Sequence, residues 1–196
     1  MLRLIVSNLT LLLSLCFLAC SHRGITPMGD YASHYHTLLR QELRSQGFFG
    51  FDSIPYLTSV VHRSDKLRRA YVEEYAQVYR LNPAEKNLLL ERELEESKKF
   101  IDVVVVHFAT DDKLAHLDTN EKVWQIRLDT GSQRLRPHMV SRLPGEAPVN
   151  AYFYPQITHW SRNYLVRFSR EDQASLQPMT LHLDSIEGNI SFKLSN

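Results

Sequence analysis

Hydrophobic and polar positions change rhythm twice along this chain. From Leu4 to Leu18 the residues are mostly apolar. From Asp30 to Lys99 apolar residues recur at three- and four-residue spacing, the period of an amphipathic helix. From Phe100 onward they mostly alternate with polar ones, the period of a strand with one buried face.

The middle stretch predicts about three helices. Asp30 can cap the first, whose stripe is Tyr31, Tyr35, Leu38, Leu39 and Leu43, with Gly47 ending it. Phe48 to Val61 reads as irregular, with Phe48, Phe49 and Phe51 around Gly50 as core plugs and Pro55 as a breaker. The second helix is expected from Ser64 to Leu81, with Leu67, Tyr71, Tyr75, Val78 and Tyr79 on one face. The third carries a strong start signal: Asn82 caps, Pro83 takes the first position and Glu85 follows three after the cap. It is expected to run to Lys99, with Glu91, Glu93, Glu95 and Glu96 as its solvated face.

The last stretch opens with Phe100 to Phe108, whose Val103 to Val106 run suits a buried strand. Further strand patterns include Trp124-Ile126-Leu128, Leu135, Met139-Val140, Tyr152 to Tyr154, Tyr164-Val166-Phe168, Met179-Leu181-Leu183 and Ile190-Phe192-Leu194. Asp129 to Ser132 and Glu187-Gly188-Asn189 are turn signals, the latter closing a terminal hairpin. The expected fold class is α+β: an N-terminal helical subdomain at 30–99, then an antiparallel immunoglobulin-like β-sandwich at 100–196.

The N-terminal run has Arg3 before it and Phe17-Leu18-Ala19 leading into Cys20 and Ser21. A charged start, an apolar core and a small residue before a cut are the marks of an export signal. With a cysteine directly after the cut, this segment resembles the signal of a bacterial lipoprotein. That resemblance implies a signal peptide at 1–19, diacylglycerol on the Cys20 sulfur, and a short tether to Gly29. Ser21 after the cysteine implies the outer membrane, with the protein facing the periplasm. The tether from Ser21 to Gly29 reaches about 30 Å when extended. The order of a helical half before strands, with Trp124 to Leu128, Pro137, Trp160 and Tyr164 to Phe168, is similar to that of envelope lipoproteins and supplies no site residues.

Charge and cysteine content narrow the chemistry. The chain carries 23 Lys+Arg against 22 Asp+Glu, and loss of Arg3 with the signal would balance them. No basic field exists to attract nucleic acid. Both cysteines, Cys16 and Cys20, fall in the N-terminal segment, so a cysteine nucleophile, a cysteine metal site or a disulfide is excluded from the rest.

The candidate chemistry is sparse. Nine His are scattered and expected at the surface; His107 and His116, with Asp111 and Asp112 between them, form the one loop where a metal would be sought. No nucleophile elbow, P-loop or dinucleotide-binding glycine motif occurs. The acidic pairs Glu73-Glu74 and Glu95-Glu96 are neighbours on helices and diverge. No catalytic residue, metal site or cofactor is assigned beyond the lipid on Cys20. His62, Arg63, Lys66, Arg68 and Arg69 open the second helix, where positive charge opposes the local dipole. Arg63, Lys66 and Arg69 are therefore candidates for contact with lipid phosphates. The expected function is a non-catalytic binding or scaffolding module of the envelope, within a secretion or assembly apparatus. It would be held to the membrane by lipid and partnered by an envelope protein, through the 107–116 loop or the Pro144 to Pro155 segment. The competing expectation is a metal-binding protein or an envelope enzyme.

Overall fold

Val103 to Val106 explain the layering of the molecule. In the computed structural model, Val103 and Val105 join a core between two sheets, while Val104 and Val106 join a second core beneath helices. A strand buried on both faces reads as a continuous apolar run rather than an alternating one. The structure describes residues 32–48, 56–118, 123–131, 133–170 and 178–195, all within one compact unit spanning 31–196.

The first helix, α1 (His34–Glu42), is capped by Ser33, whose hydroxyl accepts from the His36 N–H. It leads into β1 (Arg44–Phe48) and β2 (Tyr56–His62). Two long helices follow, α2 (Asp65–Tyr79) and α3 (Pro83–Lys99), and then β3 (Phe100–Ala109). A single turn, α4 (Asp112–Ala115), precedes β4 (Trp124–Asp129), β5 (Arg134–Leu135) and β6 (Met139–Arg142). The chain ends with α5 (Ala147–Phe153), β7 (Arg162–Ser169), β8 (Met179–Ser185) and β9 (Gly188–Leu194). Both sheets are antiparallel: five strands in the order β1-β2-β3-β7-β6 and four in the order β5-β4-β8-β9.

The mixed helix-and-strand class is as expected. The helix signals at Ser64 and Asn82 hold: Ser64 caps α2, and Asn82 with Glu85 forms the reciprocal capping box of α3. Arg80 closes α2 in the left-handed region, at φ 52°. Gly188 follows the tight turn between β8 and β9.

Three expectations change. The first helix ends at Glu42, and Gly47 lies inside β1. Part of the stretch read as irregular is strand, because β2 pairs with β3 along its whole length, from Tyr56 opposite Ala109 to His62 opposite Val103. The helical stretch at 30–99 therefore contributes two strands to the same sheet as β3. Tyr152 and Phe153 belong to α5 rather than a strand; Phe153 and Tyr154 are buried against Tyr35. The residues Tyr31, Phe49 and Phe51, and the side chain of Phe48, lie outside the described set, as do residues 1–30.

The inter-sheet core takes Tyr56, Ile101, Tyr164 and Phe168 from one sheet and Trp124, Leu128, Leu181 and Phe192 from the other. The second core sets Leu38, Leu67, Ala70 and Phe153 of the helices against Val61, Val104 and Leu165. Burying such side chains stabilises the fold by about 1.5–3 kcal/mol each. Among the described residues no helix is long and apolar enough to cross a membrane.

Candidate functional site

The basic stretch at the start of α2 divides between interior and surface. Arg68 is 1% exposed and reaches Asp102 of β3, which is fully buried. Arg68 Nη2 donates to Asp102 Oδ2 at 2.8 Å. Arg167, directly across from Asp102 on β7, donates from Nε and Nη2 to the two carboxylate oxygens at 2.8 and 2.9 Å. Glu93 of α3 accepts from Arg63 Nη2 at 2.9 Å and Arg68 Nη1 at 2.7 Å. Glu96 pairs with Arg167 at 2.8 Å. Three arginines and three carboxylates thus balance, joining α2, α3, β3 and β7. Burial alone would raise the Asp102 carboxyl; the hydrogen bonds from Arg167 and Arg68 outweigh it and hold the group below its ordinary value. The same bonds, from Asp102 first, raise Arg167.

Arg63, Lys66 and Arg69 therefore do not form one cationic surface. Arg63 is paired with Glu93, lies 3.9 Å from Asp102 and sits over the Tyr71 ring. Lys66 and Arg69 are exposed. Glu93 likewise leaves the solvated face expected of it and turns inward. The signal for this cluster was present: a lone Asp within a β-branched strand must find buried partners, because an unpaired charge there is too costly.

Several histidines are interior rather than superficial. His36 is 1% exposed, with Nδ1 2.8 Å from the Ser33 hydroxyl and Nε2 2.9 Å from the Tyr152 carbonyl. His62 is buried with Nδ1 2.7 Å from the Ser195 carbonyl, and burial lowers its pKa. His107 is fully buried between the Thr58 hydroxyl and the Leu114 carbonyl, and burial lowers its pKa to about 4.

The histidines of the 107–116 loop do not converge. His107 faces the core, while His116 lies 3.5 Å from Asp112 and 3.8 Å from Asp118. Those carboxylates are held by Arg162 at 2.6 Å and Arg142 at 3.2 Å. Among the described residues no group of three or more His, Asp or Glu is placed to hold a metal ion. The acidic pairs diverge as their spacing predicts. Glu73 meets Lys86, Glu74 accepts from the Tyr152 hydroxyl at 2.5 Å, Glu95 meets Lys98 and Glu96 meets Arg167.

The remaining features are surfaces. Pro144 to Pro155 is occupied by α5 and helps cover the second core. An aromatic ladder climbs from Tyr35 through Tyr71 and Tyr75 to Tyr79, with ring centroids 6.0, 5.7 and 4.4 Å apart. Its inner end is buried and Tyr79 is exposed, as half-buried packing would have it. Strands β1 and β9 end their sheets on the same flank and border a groove of about 370 Å³. The helical periodicity that continues toward Gly47 hides β1, and with it this groove, from the sequence. No family model matches this chain, and searches of curated proteins and of solved structures find no match.

Proposed function

We propose that this chain is a lipoprotein of a bacterial envelope, anchored through acylated Cys20 and most at home in the outer membrane facing the periplasm, where it acts as a non-catalytic binding or scaffolding module of a secretion or assembly apparatus. The observation that carries the reading is the sequence Phe17-Leu18-Ala19-Cys20-Ser21 after an apolar run with Arg3 at its head. The mechanism is tethering: a lipid on Cys20 keeps the folded part near one membrane and raises its effective concentration for partners there. The two antiparallel sheets support an immunoglobulin-like use of the fold, through edge strands and end loops rather than through a catalytic cleft. Exposed Lys66 and Arg69 are suited to lipid phosphates.

Mass spectrometry of the full-length protein recovered from membranes tests the anchor. The expected result is a chain beginning at Cys20 and carrying diacylglycerol, with loss of membrane association in Cys20→Ala. A membrane-bound chain that keeps Met1 and an unmodified Cys20 would overturn it. In-cell crosslinking of the two versions tests the scaffold: a discrete envelope partner should be captured by the wild type and lost with Cys20→Ala.

A further inference from the structure

Each sheet has an unpaired side where the flank carrying β1 and β9 comes together. Among the described residues β1 pairs only with β2, and β9 only with β8. Among the described residues each edge therefore leaves a row of backbone N–H and C=O groups without a strand partner, the template on which another strand can form. The groove between them is lined by Arg44, Ser45 and Gln46 of β1 and Ser191, Phe192 and Lys193 of β9. Phe192 is 1% exposed and forms an apolar floor; Ser45, Gln46 and Ser191 are exposed polar groups.

The charge of this lining is one-sided. It holds two cations and no carboxylate. Among the described residues neither Arg44 nor Lys193 is ion-paired, whereas Arg63, Arg68, Arg127, Arg134, Arg142, Arg162 and Arg167 are all matched with acids. Arg44 uses Nη1 on the carbonyls of Gln41 and Leu43, which holds its guanidinium at the groove without neutralising it.

We propose that this groove binds an extended acidic segment of a partner protein, added as a strand to β9. The ladder would supply affinity through main-chain hydrogen bonds, and Arg44 and Lys193 would select carboxylates. Seven residues of β9 offer an edge of about 23 Å at strand spacing. The proposal deepens the binding-module reading and rests on its premise that this chain engages a protein segment.

Hydrogen exchange of the full chain in detergent tests it, with a peptide alternating Val and Glu as the probe and one alternating Val and Lys as the control. At a concentration about ten times its dissociation constant, the Glu peptide should slow exchange of the edge amides by about tenfold. Amides of β9 and β1 should respond, and the Lys peptide should leave them unchanged. Arg44→Glu with Lys193→Glu should reverse the preference; Arg44→Gln with Lys193→Gln should abolish it at unchanged circular dichroism. No slowing at millimolar Glu peptide, or equal slowing by both peptides, would overturn the proposal. Protection at β6 in place of β9 would overturn the groove while leaving the binding-module reading standing.

Discussion

The imidazole of His107 and the indole of Trp124 donate to one acceptor, the backbone carbonyl of Leu114, each at 2.8 Å. Because that carbonyl can only accept, His107 carries its proton on Nε2, and Nδ1 accepts from the Thr58 hydroxyl at 2.9 Å. The neutral ring thus pins the α4 turn between the two sheets.

Stability should follow this ring in acid. The unfolded chain protonates the imidazole near the ordinary value of about 6.5, the folded chain only near about 4. Between these values the unfolded state binds more protons, so stability falls as pH falls, by on the order of 3 kcal/mol across the window. His62, also lowered by burial, adds a slope of the same sign. Urea midpoints from pH 7 to pH 4 should show the loss, and His107→Gln should flatten the curve even though it starts from lower stability. An unchanged slope in that variant would show that the acid sensitivity arises elsewhere.

Asp102 is held by Arg68 and Arg167 with no solvent to replace either. Asp102→Asn leaves those guanidiniums under-compensated and should cost about 3–5 kcal/mol in equilibrium unfolding. Replacing Asp102 and Arg68 together by apolar residues of similar volume should recover part of that loss, since the pair also carries a large desolvation cost and Arg167 keeps Glu96 as a partner. A double variant as unstable as the sum of the two single ones would show that the network is worth more than its desolvation.

Arg63, Lys66 and Arg69, at the start of α2, should separate by experiment. Arg63→Gln should destabilise by about 1–3 kcal/mol, because it leaves Glu93 short of a donor. Lys66→Gln with Arg69→Gln should change stability by no more than about 0.5 kcal/mol. At about 1 kcal/mol per cation near an anionic surface, that double variant should weaken vesicle binding of the unacylated chain roughly 30-fold. Unchanged vesicle affinity would remove these residues from the membrane contact.

Tyr35 is buried and donates to the Phe153 carbonyl at 2.8 Å, tying α1 to the end of α5. Tyr35→Phe should lower stability by about 1 kcal/mol and speed amide exchange at Tyr154, whose N–H closes that turn on Asn150. Exchange that stays at the wild-type rate would show that ring packing alone fixes α5.

Local signals proved readable and distant ones did not. Ser64, Asn82, Pro83 and Glu85 mark helix starts because caps act within three residues. Val103 to Val106 mark a buried strand for the same local reason. β2 lacks the alternation that marks a strand because Thr58 and Ser59 are buried in it, their hydroxyls taken up by His107 and Ser45. The end of α5 carries a strand signal, three consecutive aromatic residues, which burial against Tyr35 overrides. The ionic cluster joins residues 34 and 65 positions apart, a separation on which periodicity is silent. Its one local trace is a charge set among valines.

The shared core also fixes when the molecule can become whole. Its outer wall is built by Leu181, Leu183, Ile190 and Phe192, from the final two strands. A chain made from its N-terminus onward presents Val103 and Val105 long before that wall arrives, and Tyr164 and Phe168 shortly before it. Pairings of such long sequence separation form slowly. The interval leaves Val103 and Val105 of β3 without the outer part of their cover until β8 and β9 close over them.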